Sequence, residues 1–413
     1  MEIVRYPLFE RNGWTQPAMA NTAEDLRSSM TVGLAVDGDA YGGAEASLVN
    51  LVTGVADIAP QIQFLLLGHD CAALRGLADR LPLVETAIAS RPNNPAARVH
   101  QCRKLVKAAK LDILQVTLCN PVAGQEAQIA GILTGTPTIV VEQLVRSIAR
   151  REMVVKAALS RLLSDHIAVG TSSAAAIAQH ASLPAASVRA VHNGVPEPAP
   201  DECVRNMVNP DHGRFVVGTV GRLEHQKGID RLIPLLPRLP DVHLVIVGSG
   251  SEEAELRAQA ARLNVSDRTT FTGWIDQPGE VMQSFDVFVL ASQNEAFPLT
   301  IVEAMLRAVP VVATDVGSVT DAILDGETGM LVPADRPELI ADRLQLLISN
   351  PGLRTDIALQ GQRRAVEHFT AHSMARRYVE IWRRPRGRLG LFSGKADLRT
   401  RHDVEIPRPE VLS

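Results

Sequence analysis

The stretch SQNEAFPLTIVEAM (292–305) carries two carboxylates, Glu295 and Glu303, on either side of Pro298. Proline suits the first turn of a helix, where its missing N–H would have had no intrahelical partner. Glu295 then falls in a loop, and Glu303 sits about two turns into the helix. The N–H groups of Phe297, Leu299 and Thr300 at that helix start are free to hold a phosphate or sugar oxygen. A carboxylate accepting from vicinal hydroxyls is the usual way to hold a ribose. Upstream, GRLEHQKG (221–228) places Arg222 and Lys227 on one short loop. Arg can clamp phosphate oxygens through two parallel bonds and Lys adds a point charge, so the pair suits a diphosphate and the charge on a departing nucleotide. A solvated basic loop would show the same spacing. Near the amino terminus, DGDAYGGAEAS (37–47) runs through Gly42 and Gly43 into a helical stretch starting near Ala44. The glycines permit close backbone approach and the helix start offers N–H groups to an anion, although a plain turn uses the same residues.

Paired glutamates also raise glycoside hydrolysis, with one carboxylic acid and one carboxylate flanking the scissile bond. That chemistry has no use for Arg222 and Lys227 at a neighbouring strand end, nor for a second nucleotide-binding type of domain, and it ranks below transfer.

These residues need elements to hold them. From Thr31 onward, short β-branched runs alternate with helical spacing, the pattern of βαβ units and a parallel sheet. The expected strands of the first half are 31–36, 62–68, 111–116, 136–141, 166–170 and 188–192; those of the second are 215–220, 243–248, 269–273, 286–291, 309–314 and 329–333. Between them, NGVPEPAPDECVRNMVNPDHGR (193–214) breaks the periodicity with four prolines, as an interdomain linker does. The expected organisation is an extension at 1–29, an α/β domain at 30–195, a linker at 196–213, an α/β domain at 214–384 and a basic tail at 385–413. In open parallel sheets ligands sit at the carboxyl ends of strands, where all three motifs above fall.

With 413 residues, 46% hydrophobic and 21% charged, the chain has the balance of a globular protein of two domains. Its longest apolar runs, such as FLLLG (64–68), fall far short of the ~20 residues of a spanning helix. The amino terminus lacks a basic start, an apolar run and a cleavage site, so the expectation is a cytoplasmic protein. Four scattered cysteines without CxxC spacing suggest reduced thiols, not a zinc site or disulfide framework. A net charge of −4 argues against non-specific binding of nucleic acid. The tail, with Arg383, Arg384, Arg386, Arg388, Lys395, Arg399 and Arg401, is locally cationic, which serves solvation or contact with anionic lipid.

Taken together and in order, VGRLEHQKG, HLVIVGSGSEEAEL, FTGWIDQPGEVM, SQNEAFPLTIVEAM and GETGMLVPADRPELIADRL closely resemble family 4 glycosyltransferases of the GT-B fold, over about 215–381. YGGAEASLVNL and VRAVHNGV (188–195) extend the resemblance into the first half. The resemblance implies two Rossmann-like domains facing across a cleft and an NDP-sugar donor held mainly by the second. It puts Arg222 and Lys227 on the diphosphate, Glu303 on the ribose and Glu295 on the transferred sugar. Trp274 and Ile275 would lie near the base, and Gly42 and Gly43 near the diphosphate or acceptor. It also implies retention of anomeric configuration by front-face displacement, without a cofactor or metal. In that picture Arg222, Lys227 and Glu295 do the catalytic work, and the leaving diphosphate helps take the acceptor proton.

One position departs from the family pattern. Many relatives carry a His after the strand corresponding to TPTIVV, where this chain has Gln143, which can hydrogen-bond but cannot become charged. His69, His192 and His225 read as surface or packing residues, not as substitutes. On the acceptor side, Arg146, Arg150, Arg151, Lys156 and Arg161 alternate with Ile148, Val154, Val155, Leu159, Leu162 and Leu163 over 145–163. That amphipathic basic pattern suits either a membrane surface with a lipid-linked acceptor or a packed helix with a charged outer face. The expected activity is transfer from an NDP-sugar to a glycan or lipid-linked acceptor in cell-surface polysaccharide or glycolipid synthesis, in the cytoplasm or at the inner membrane face. A non-catalytic sugar-nucleotide or glycan-binding relative and a GT-B sugar-nucleotide epimerase are the rivals. A pyridoxal-phosphate phosphorylase ranks lower, because the chain is short and Lys227 already has a phosphate to bind.

Overall fold

The computed structural model describes residues 29–39, 41–144, 149–198 and 213–385. The amino-terminal extension, most of the linker, Arg146, Ile148 and the basic tail beyond residue 385 lie outside the described residues.

The first domain holds strands β1 (Met30–Val36), β2 (Ile62–His69), β3 (Glu85–Ala89), β4 (Ile113–Leu118), β5 (Thr138–Glu142), β6 (Asp165–Ala168) and β7 (Val188–Ala190). They form one parallel sheet in the order β3-β2-β1-β4-β5-β6-β7. Its helices are α1 (Gly43–Ile58), α2 (Ala72–Arg80), α3 (Pro95–Ala109), α4 (Gln125–Thr134), α5 (Arg150–Ser160) and α6 (Thr171–His180). The second domain holds β8 (Phe215–Val220), β9 (Val242–Val247), β10 (Thr269–Gly273), β11 (Val287–Leu290), β12 (Val311–Asp315) and β13 (Met330–Pro333), ordered β10-β9-β8-β11-β12-β13 and again parallel. Its helices are α7 (Glu253–Arg262), α8 (Pro278–Met282), α9 (Leu299–Leu306), α10 (Val319–Ala322), α11 (Leu339–Ser349), α12 (Pro351–His368) and α13 (Ala371–Arg383).

Central strands such as β4, β9 and β11 are buried along their whole length, because helices cover both faces of a parallel sheet. The period of two sorts their side chains: Val32, Leu34 and Val36 face α1 and α2, while Ala35 faces α3 and α4. The strand missing from the sequence reading is β3, an edge strand of sequence ETAIA whose residues alternate between half-buried and exposed. With one side open to water it never collects the apolar run that marks its neighbours.

The final helix of the second domain crosses back to the first. Thr370 caps α13, its side chain accepting from the Ser373 N–H, and the helix then packs along α1 of the first domain. Trp382 Nε1 donates to Gln115 Oε1 in β4 at 3.0 Å, and its ring meets Phe64 edge-on at 5.7 Å. Val195 and the Phe369–Ala371 segment bond each other's backbones, so the chain crosses between domains twice, side by side. Val195, Phe297, Phe369 and Trp382 consequently share one hydrophobic core spanning both domains.

Helix α5 and the turn after it mix the two expected patterns: Leu163 is buried and Arg150 and Arg151 are exposed. Lys156 points inward, and its Nζ lies 2.6 Å from both oxygens of the fully buried Glu142. Val154, Val155 and Leu162 face solvent at 66%, 45% and 40% exposure. Burial alone would raise Glu142, but the bond to His166 and the Lys156 charge outweigh it and hold the carboxyl below its ordinary value.

Candidate active site

The two chemical loops of the second domain are fastened together by backbone. Gly228 sits at φ +64, where a side chain would be strained, and a Cβ there would stand 2.1 Å from the Ala291 carbonyl oxygen. The 225–228 turn therefore lies flat against the end of β11, and Gln293 N donates to Gln226 O while Gln226 Nε2 donates to Asn294 O. On the other side, Gly317 at φ +58 lets the backbone after β12 press on the Glu295 carbonyl, closer than any Cβ would allow.

This packing brings Lys227 to Glu295. Lys227 Nζ lies 2.6 Å from Glu295 Oε1, and Ser292 Oγ donates to the same oxygen at 2.7 Å. Both charged groups are largely buried, at 20% and 9% side-chain exposure, so they are screened little by water. Arg222 is not joined to them; it is exposed and pairs with Glu224 at 2.9 Å.

Phe297 is buried, Pro298 occupies the position just before α9, and the helix begins at Leu299. The N–H groups of Leu299 and Thr300 are first-turn donors with no intrahelical acceptor. Glu303 follows on α9, and its Oε2 is buried without a hydrogen-bond partner. Burial pushes its carboxyl above the ordinary value, with the nearby Arg307 charge opposing. A buried, unpartnered carboxylate oxygen is costly unless something donates to it.

Trp274 is 56% exposed and donates to Asp276 at 3.0 Å, whereas Ile275 rests against the core. Asp276 reaches Arg80 of the first domain at 3.7 Å, and Arg80 stacks 4.0 Å over Tyr41 in the glycine loop. In that loop, Gly42 N already donates to Glu45 Oε2 at 2.8 Å, while Gly43 is open. One donor at the α1 start is thus occupied by the chain's own carboxylate.

The loops at the carboxyl ends of both sheets meet through Asn193, a residue quoted in the VRAVHNGV motif but given no role. Nearly fully buried, it accepts from Ser47 Oγ at 2.7 Å and donates to Gln143 Oε1 at 3.1 Å and to Phe297 O at 3.4 Å. Gln143 is therefore held by an amide of its own domain that also reaches Phe297 across the domain boundary. His192 beside it is likewise more than packing: its Nε2 lies 2.9 Å from Asp321 Oδ2 in α10, and its ring meets Phe297 and Phe369.

Among the described residues, His225, Asp230 and Glu252 bring ligand atoms within 4.8 Å of one another beside the Lys227 loop, the one grouping there close enough to share a cation. The described cysteines, Cys71, Cys102 and Cys119, are free thiols.

Residues 202–364 match the family Glycosyl transferases group 1. The chain is 32% identical over 166 residues to the lipopolysaccharide core biosynthesis glycosyltransferase LpsE of Rhizobium meliloti, covering 40% of this chain and 49% of that one. It is 35% identical over 185 residues to the phosphatidyl-myo-inositol mannosyltransferase of Mycobacterium tuberculosis, covering 42% and 48%. The chain thus spans about half the length of these curated relatives. In fold it is similar to Anabaena Alr3699/HepE, solved in complex with UDP, with a TM-score of 0.74 at 23% identity over 85% of this chain and 99% of that one. The lipopolysaccharide outer core galactosyltransferase WaaB is a further structural relative, at TM-score 0.67 and 19% identity over 86% and 100%. Two parallel-sheet domains joined through their carboxyl-end loops make a GT-B fold, and residues 202–364 of the second domain carry the signature of the group 1 glycosyl transferases.

Proposed function

We propose that the chain is a retaining, metal-independent glycosyltransferase that moves a sugar from an NDP-sugar to a glycan or lipid-linked acceptor in cell-surface polysaccharide or glycolipid synthesis. The observation that carries this reading is Glu303, whose buried Oε2 has no partner beside a helix start rich in free N–H groups. A ribose diol supplies the donors that oxygen lacks. Lys227, already desolvated beside Glu295, stabilises charge developing on the leaving diphosphate, with Arg222 swinging in from the surface. Glu295 orients hydroxyls of the transferred sugar. Trp274 and Ile275 flank the base, and Gly43 opens toward the diphosphate or acceptor. Anabaena Alr3699/HepE, which shares this fold, was crystallised with UDP, and this supports a nucleotide ligand.

The chain works in the cytoplasm, peripheral at the inner face of the membrane. No helix among the described residues is long and apolar enough to cross a membrane. The exposed Val154, Val155 and Leu162 near Arg150 and Arg151 form a surface that suits an anionic bilayer.

The test is a thermal-shift panel of UDP, GDP, ADP and their sugar conjugates, without metal and then with magnesium. Binding to the native state raises Tm by mass action. A shift with one nucleotide family, unchanged by magnesium and lost in Glu303→Ala, supports the reading. A shift that requires magnesium overturns metal independence and turns attention to His225, Asp230 and Glu252. No shift with any nucleotide overturns the donor site.

A further inference from the structure

Both cations given to the diphosphate face a carboxylate in the free protein. Arg222 pairs with Glu224, and Lys227 Nζ lies 2.6 Å from Glu295 Oε1. The two pairs are not equivalent. Arg222 and Glu224 are 53% and 41% exposed, so water and salt screen them and the guanidinium turns away at little cost. Lys227 and Glu295 are largely buried and held from both sides. The Lys227 stem runs over Gly221, where a Cβ would stand 3.5 Å from Lys227 Cδ and Cε, and Gly228 pins the end of that turn against Ala291. Gly317 presses on the Glu295 carbonyl, and Ser292 Oγ donates to the same Oε1 that meets the ammonium. The ion pair is therefore a fixed part of the site, with little freedom to separate when a ligand arrives.

Such a pair is a poor receptor for a bare anion. A phosphate drawn to Lys227 is drawn to the Glu295 carboxylate as well, and in a partly desolvated site that like-charge contact is costly. A ligand that brings hydroxyls together with phosphate escapes the penalty. Lys227 has three N–H donors and spends one on Glu295, which leaves two for phosphate oxygens. Glu295 Oε1 already accepts twice, whereas Oε2 receives no donor among the described residues and is open to sugar hydroxyls. Hydroxyls donating there stabilise the carboxylate charge while the phosphate occupies the ammonium. Sugar and diphosphate thus engage opposite halves of one ion pair, and each favours the binding of the other.

We propose that the Lys227–Glu295 pair discriminates against a bare nucleoside diphosphate in favour of the same nucleotide joined to a sugar. The inference rests on the glycosyltransferase reading and adds a means of regulating that site. Once the sugar has left with the acceptor, the diphosphate faces a carboxylate that has lost its hydroxyl donors, and the repulsion favours its release.

The test is titration calorimetry on the full chain with UDP and UDP-glucose, GDP and GDP-mannose, and ADP and ADP-glucose. Wild type, Glu295→Gln and the double variant Glu295→Gln with Lys227→Ala are compared, with circular dichroism to confirm folding. In Glu295→Gln the bare nucleotide should bind about tenfold tighter, and the preference for its sugar conjugate should fall by at least that factor. The double variant should lose the gain, because the freed ammonium is what produces it. Bare-nucleotide affinity that is unchanged or weaker in Glu295→Gln, or a gain that persists in the double variant, overturns the inference and leaves the donor site standing. Absence of binding by every nucleotide and sugar nucleotide in all three proteins overturns the donor site itself, and the inference with it.

Discussion

Asp321 of the second domain accepts from the first through three groups, and its contact with His192 Nε2 at 2.9 Å adjoins the active-site loop. The Thr171 N–H and Oγ1 donate to the same carboxylate at 2.7 and 2.5 Å, so Asp321 caps α6, whose own preceding residue is a glycine without a side chain. Arg364 braces α10 from behind by donating to the Asp321 and Ala322 carbonyls.

Burial alone would raise the Asp321 carboxyl, but the bonds from His192 and Thr171 outweigh it and hold its pKa below 3.8. A depressed carboxylate contributes stability that is present above its unfolded value and lost as pH falls through that value toward the folded one. Asp321→Ala should cost about 1.5–3 kcal/mol at pH 7 by urea unfolding. The gap between variant and wild type should shrink as pH drops below 3.8; a gap constant with pH would show that the carboxylate charge is irrelevant.

Lys227 and Glu303 should separate kinetically. Removing the ammonium that answers charge at the leaving group lowers kcat about 100-fold in Lys227→Ala with nucleotide affinity little changed. Glu303→Ala weakens nucleotide binding instead, about tenfold or more. Calorimetry with the nucleotide and initial rates with the donor read the two effects, and wild-type kinetics in both variants would remove the site assignment.

The raised pKa of Glu303 has the opposite sign of consequence for the free protein. An acid whose folded pKa lies above its unfolded value destabilises the fold once pH exceeds that ordinary value, and the cost is relieved as pH falls. Glu303→Gln should therefore raise the apo Tm at pH 7 while lowering the nucleotide-induced shift. A variant that melts below wild type would mean that the carboxylate is satisfied in the free state.

The buried pair of Lys156 and Glu142 should be worth more broken than replaced. Lys156→Met leaves the buried Glu142 carboxylate with His166 beside it and no ammonium, and should cost about 3 kcal/mol, whereas adding Glu142→Gln should recover much of it. Chemical denaturation of both variants measures this, and equal losses would argue against a charge effect.

The outer face of α5 should carry membrane affinity. Val154→Asp with Val155→Asp should reduce cosedimentation with phosphatidylglycerol vesicles several-fold without lowering Tm, because both side chains are exposed. Unchanged cosedimentation would assign that face to another partner.

Local patterns determine the parts of this protein that depend on neighbours in the chain. The alternation of apolar runs with helical spacing was enough to expect twelve strands of two parallel sheets, because strands covered on both faces must be apolar throughout. The loop-to-helix junction at 292–305 was legible for the same reason, since proline and the helix start act within a few residues. Only the tertiary structure decided what long-range packing sets. It drew β3 to an exposed edge, sent α13 back to α1 and turned Lys156 inward to Glu142. It also joined Lys227 to Glu295 and His192 to Asp321, partners 68 and 129 positions apart. A residue type announces which bonds it can make, but the partner that makes burying a charge affordable is chosen by the packing of elements far apart in the sequence.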